Sequence, residues 1–215
     1  KKMNNPIWTQ ECRAKLEDYL QTHKLPSGLG TEESACSIAA INLAITGELT
    51  DDIPDCMSKV LGKVTIILQD VMPDKMRNSA RYKAVLVNMP GTGRNREQRR
   101  TEVITAWMWD VVLPQLQDGA DEQGFGKTWR HMCEQKSEHT AHAAAYAADT
   151  ARVSRDAARA AHAAACVSRD AHAAAYAAYA ARAAADAAAR VADADFWVRI
   201  DPIGVLERMT YLEGE

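Results

Sequence analysis

Between Lys127 and Ile200 the chain contains neither glycine nor proline. The two residues that most readily end a helix or open a tight turn are therefore missing from this stretch. Cysteine is equally uninformative as a scaffold. Cys12, Cys36, Cys56, Cys133 and Cys166 are odd in number, widely spread and without a C-x-x-C pair. This argues against a disulfide framework and a zinc site and fits a reducing compartment, with the thiols serving as small buried apolar groups. Positive charge is not in excess: the formal net charge is -3 and the pI near 6.1. A global basic field for DNA, RNA or an anionic membrane is thus excluded. No window approaches the ~18 to 20 continuous apolar residues of a membrane span, and KKMNNPIWTQ lacks the apolar run of a signal sequence. A cytoplasmic protein with no membrane and no DNA partner is expected.

What is present in residues 1 to 125 reads as an all-α bundle. Thr9 is a candidate N-cap for a helix running to about His23, with Cys12, Leu16 and Tyr19/Leu20 on one face. Thr31 is read as opening a second helix with Glu32 and Glu33 in its first turn; its body, ACSIAAINLAI, should be buried, and Gly47 ends it. CMSKVLGKVTIILQDVM is a third helix, although KVTIILQ alone is also compatible with a strand. Pro73 precedes a fourth, DKMRNSARYKAVLVNM. REQRRTEVITAWMWDVVLPQLQ is a fifth, kinked or ended by Pro114. PGTGRN and DGADEQGFG are read as loops. Residues 126–200 form the alanine-rich segment, and 201–215, with Ile203, Leu206 and Leu212, a C-terminal docking helix.

From Ala141 to Asp195, 30 of 55 residues are alanine, the strongest helix former, and Leu, Ile, Met and Phe do not occur. Larger residues recur with a period of ten. His142, Arg152, His162, His172 and Arg182 share one phase; Tyr146, Asp156, Cys166, Tyr176 and Asp186 a second; Asp149, Arg159, Arg169 and Tyr179 a third. On a helix of about 3.6 residues per turn such a stripe falls behind by about 80° per repeat. Alanine faces let helix axes approach more closely than the usual ~8 to 10 Å, leaving the larger residues as a spiral edge. Two arrangements remain open: one long helix, or a hairpin of shorter helices with Ser154 or Ser168, each in a VSRDA motif, as caps.

Few arrangements suggest chemistry. PGTGRN and GFGKTW do not complete a G-x-x-x-x-G-K-[ST] phosphate loop. Glu48, Asp51, Asp52 and Asp55 lack the ligand pattern of a calcium loop; Asp51, Asp52 or Asp55 is read as a helix cap around Pro54. On a single helix His142, His162 and His172 lie at least ~15 Å apart, too far for one ion within a monomer. No cofactor is implied, and no nucleophile–base pair stands out: Cys133 follows His131 by two, on different helix faces. The candidate binding edge carries His142, Tyr146, Arg152, Arg155 and Arg159, and then His162, Arg169, His172, Tyr176, Tyr179 and Arg182. Guanidinium and aromatic groups in alternation suit a nucleotide-like anion, whereas the interspersed Asp149, Asp156, Asp170 and Asp186 suit a self-paired edge or protein interface.

GLGTEESACSIAAINLAITGELTDDIPDCM, then MPDKMRNSARYKAVL and the GTGR loop, resemble an uncharacterised group of bacterial and phage proteins. Their alanine-rich tails are also punctuated by Tyr, His, Arg and Asp. The resemblance covers about residues 12 to 212, and the tail is similar to that of immunity proteins. It implies a role in phage–host conflict or toxin immunity and carries over no catalytic residue. The combined expectation is a non-enzymatic protein-interaction module, of anti-defence or immunity type, that binds a protein partner or oligomerises through the alanine-rich helix. The alternative is a binding protein for a nucleotide-like anion.

Overall fold

Thr9 begins α1 (Gln10–Thr22) by accepting a hydrogen bond from the Cys12 backbone N–H at 3.2 Å, and Leu16 and Leu20 turn inward. The computed structural model describes residues 8–150, 155–167, 176, 179–180, 182–184, 186 and 195–212. The fold is all-α; the one β-ladder among the described residues pairs Gly30 with Ala35 and Thr31 with Ser34. No helix among these residues is long and apolar enough to cross a membrane. The chain divides into two compact units, residues 1–100 with 206–215, and residues 101–205.

In the first unit the small ladder replaces the expected helix start at Thr31. Gly30 has φ +79, and a Cβ there would lie 1.8 Å from the Ser34 carbonyl oxygen. Only glycine permits that approach, so Glu32 and Glu33 occupy a tight turn instead of a first helical turn. Tyr19 braces it, donating to the Glu32 carbonyl at 3.0 Å and accepting from the Ala35 N–H at 2.7 Å. The actual cap is Cys36, whose Sγ accepts from the Ala39 N–H. Then α2 (Ser37–Thr46) is buried along most of its length and ends at Gly47, φ +76.

KVTIILQ lies within α3 (Lys59–Val71). Its cap is Ser58, not Asp51, Asp52 or Asp55 as expected from the acidic cluster. Asp55 pairs with Arg94 and Asp52 accepts from the Thr50 hydroxyl, so neither reaches the helix end. Glu97 supplies the negative charge there, accepting from the Ser58 hydroxyl, the Lys59 N–H (2.7 Å) and the Val60 N–H, where the helix dipole favours an anion. The fourth expected helix is two pieces, α4 (Asp74–Arg77) and α5 (Ala80–Asn88). Ser79 caps the second, accepting from the Tyr82 N–H, while Asn78 turns aside to bond the Leu25 N–H and C=O.

Two buried guanidinium groups tie these elements together. Arg77 donates to the carbonyls of Leu25, Gln69 and Met72 at 2.8–2.9 Å and to Asp74 at 2.6 Å. Arg100 donates to the carbonyls of Met209, Thr92 and Gly93. Together with the Arg81–Glu207 pair and the Arg96 bond to the Leu212 carbonyl, it fixes the C-terminal residues 206–212 to this unit. Leu206 and Met209 are fully buried in it.

The helix α6 (Glu97–Trp107) begins in the first unit and, in the second, passes into a π turn, Met108–Val112, and a 3-10 turn, Leu113–Leu116. Pro114 is the cause: it has no N–H to continue the α pattern, and the Leu113 N–H reaches back five residues to the Met108 carbonyl. DGADEQGFG, expected as a loop, contains most of α7 (Gln117–Glu122). Buried Ala120 and Phe125 hold that turn in place and offset the roughly 1 kcal/mol penalty of Gly119 in a helix. In α8 (Gly126–Gln135) Trp129 donates to the Leu113 carbonyl at 3.0 Å. Lys136 in the left-handed region ends α8, and α9 (Glu138–Thr150) and α10 (Arg155–Val167) follow. Near the end of the unit lies α11 (Phe196–Ile200), where the Trp107 indole donates to the Ile200 carbonyl; Asp201, φ +42, then joins it to α12 (Pro202–Thr210).

Replacing Arg77 by Ala strands three carbonyls around an empty site. Urea denaturation is expected to show a loss of about 3 kcal/mol, with an unchanged m-value if the native fold is retained.

Candidate functional site

Alanine determines how α9 and α10 meet. His142 stands eight residues before the end of α9 and His162 seven after the start of α10, yet their ring centroids are 6.0 Å apart. Equal distance from the connection requires an antiparallel hairpin. Of the two arrangements open from sequence, this is the one that α9 and α10 form. The expected separation of at least ~15 Å is thereby corrected for His142 and His162, because the chain reverses between them. His172, Arg152, Arg169 and the candidate caps Ser154 and Ser168 lie outside the described residues, as does the Arg155 side chain.

On α9 the buried alanines are Ala141, Ala144, Ala145 and Ala148, a stripe facing inward at helical spacing. On α10 they are Ala157, Ala158, Ala160, Ala161, Ala164 and Ala165. At about 100° per residue these cover an arc of roughly 100° on α9, or 140° with buried Thr140, and, with Asp156, 200° on α10. One neighbouring helix does not span 200°, so α10 is enclosed from more than one direction. Each methyl group removes little surface from water, and the stabilisation comes from close approach and helix propensity more than from the area buried.

The larger residues mostly point outward. Tyr146 is 76% exposed, the Arg159 side chain 71%, and His142 and His162 are also exposed. The antiparallel course places Tyr146 and Arg159 at the same end of the pair, one turn from the two imidazoles toward the connection. Further along the chain Tyr179 and Arg182 are exposed, Tyr176 is half-buried, and Ala180, Ala183 and Ala184 are buried. Asp156 departs from the expected edge: it is 1% exposed, in the first turn of α10, with Arg159 Nη1 3.6 Å from its carboxylate. A short acidic side chain at a helix N-terminus lowers its energy by facing the dipole, which the ten-residue spacing does not reveal. Glu138 was also outside the expected edge; its Oε1 lies 3.5 Å from His142 Nε2, and only its i,i+4 spacing hinted at this.

Other candidate sites are occupied by the protein itself. In PGTGRN the Gly91 and Gly93 N–H groups both donate to the Cys56 carbonyl, so they do not cradle a phosphate. Gly126 is required by packing, since a Cβ there would lie 1.8 Å from Asp121 Oδ1. An open groove of about 470 Å³ lies between α1 and α5. There Arg13 is held by Glu17 and Asn88, and Lys83 by the Leu20 and His23 carbonyls. Among the described residues no three His, Cys, Asp or Glu side chains form a ready metal centre. All five thiols are free. Burial pushes the Cys133 thiol up to about 11 and raises those of Cys36 and Cys56, disfavouring the reactive thiolate.

Ala161→Leu, inside the hairpin, is expected to lower stability by about 1–3 kcal/mol, whereas Ala143→Leu on the exposed face should change it by less than about 0.5 kcal/mol; thermal denaturation of the two variants checks the difference. Mass-spectrometric alkylation at mildly alkaline pH should modify Cys133 at least about tenfold more slowly in the folded chain than in urea. No model of a known protein family matches the chain, nor does any curated protein or solved structure, so the role of this surface rests on its own residues.

Proposed function

We propose that the chain is a non-enzymatic interaction module whose alanine hairpin presents a Tyr/Arg/His face to a protein partner, a second copy of the chain in the first instance. The observation that carries this reading is the outward placement of Tyr146 and Arg159 on a helical pair whose other face is closely packed. Tyrosine and arginine are the residue types most often responsible for binding energy at protein interfaces. Held on helices, they lose little backbone freedom on association. The resemblance to phage and immunity-type proteins extends the proposal to an anti-defence or toxin-neutralising role by binding.

Charge favours protein over phosphate as the partner of this face. The buried Asp156 carboxylate lies under Arg159 and offsets the cation an anionic ligand needs. The interaction reading is tested by light scattering or sedimentation across a concentration series. Self-association is expected, weakened about tenfold by Tyr146→Ala or Arg159→Ala with unchanged helical circular dichroism. A chain that stays monomeric at about 100 µM refutes the self-association reading. If it is instead stabilised by nucleotides only when Arg159 is present, the anion-binding alternative takes its place.

A further inference from the structure

The geometry points to a two-imidazole binding site for a divalent transition-metal ion, formed by His142 and His162 across the α9–α10 hairpin. A metal bound to an imidazole nitrogen sits about 2.1 Å from that nitrogen and about 3.2 Å from the ring centre. Two rings on one ion therefore have centres about 5.2 Å apart at a tetrahedral angle and about 6.4 Å apart when opposed. The observed 6.0 Å falls inside this range, and the rings are inclined at 70° to one another and not stacked. Both residues are on the exposed side of their helices, so an ion reaches them from solvent and keeps water in its remaining positions.

Glu138 strengthens the assignment. Its carboxylate lies 3.5 Å from Nε2 of His142, one helical turn away. A carboxylate on one ring nitrogen orients the imidazole and raises the basicity of the other, a common support for a metal-bound histidine. Imidazole ligands select zinc, nickel and copper over magnesium and calcium, which prefer oxygen. With two protein ligands the site is a chelate on a preformed scaffold, and its affinity is expected in the micromolar range. Because one ligand comes from each helix, the ion also ties the hairpin together. This inference is independent of self-association: metal uptake by a strictly monomeric chain leaves it standing while removing the proposal above.

The test titrates the full chain, freed of metal by chelator and kept reduced, with Ni2+ and with Zn2+ near neutral pH by calorimetry. The expected result is one ion per chain and a rise in thermal midpoint that Ca2+ and Mg2+ do not produce. His142→Ala and His162→Gln should each weaken uptake at least tenfold and abolish the rise, with helical circular dichroism unchanged. His23→Ala and Cys166→Ser should bind within about threefold of the parent chain, the second excluding a thiol site on α10. Failure to bind at 100 µM Ni2+, or binding that survives loss of either imidazole, overturns the inference.

Discussion

How closely two helices approach is set by what lies between them, and in α9 and α10 that is almost only methyl groups. The consequences run through the second unit. A narrow seam leaves no room for large residues inside, so histidine, tyrosine and arginine are displaced to the rim. Once there they are brought together by chain reversal and not by position along one helix. His142 and His162, twenty residues apart in sequence, become neighbours for this reason. Asp156 does not follow this displacement: its side chain is short enough to turn back toward the start of its own helix.

The first unit is held by a different means. Its helices are short, and several begin or end at places where backbone groups need partners. Arg77, Arg100 and Glu97 supply them: one cation satisfies three carbonyls around Leu25, another three around the 92–93 turn and Met209, and one carboxylate accepts from the start of α3. Tyr82, fully buried against Ser37, belongs to the same pattern, its hydroxyl held protonated by burial. Polar groups here act as connectors between turns that apolar packing alone leaves unspecified.

What was legible in the sequence was the local chemistry of isolated signals. The Thr9 cap, the Gly47 stop and the Pro114 distortion each depend on one residue acting on its own backbone, and each occurs where expected. Misreadings arose where a distant group overrode a local one. Thr31-Glu-Glu has the composition of a helix start, but Ser34 and Gly30 close a turn through it. Asp51, Asp52 and Asp55 are ordinary caps by type, yet Arg94 and Thr50 engage two of them and Glu97 does the work from another helix. In the alanine segment, uniform helix propensity carries no information about where a helix should reverse. The choice between one helix and a hairpin was therefore open until the structure brought two imidazoles together, and with it the candidate site stayed partly hidden.

The alanine seam also bears on how the protein responds to temperature. Heat capacity of unfolding rises with the apolar surface newly exposed to water, and a methyl group exposes little. A core closed by leucine, isoleucine and methionine, such as that around Leu61, Leu68 and Leu86, has a strongly curved stability profile. A hairpin closed by alanine has a shallow one. Cooling, which weakens large apolar cores most, thus bears more heavily on the cores built from large side chains in either unit than on the alanine hairpin.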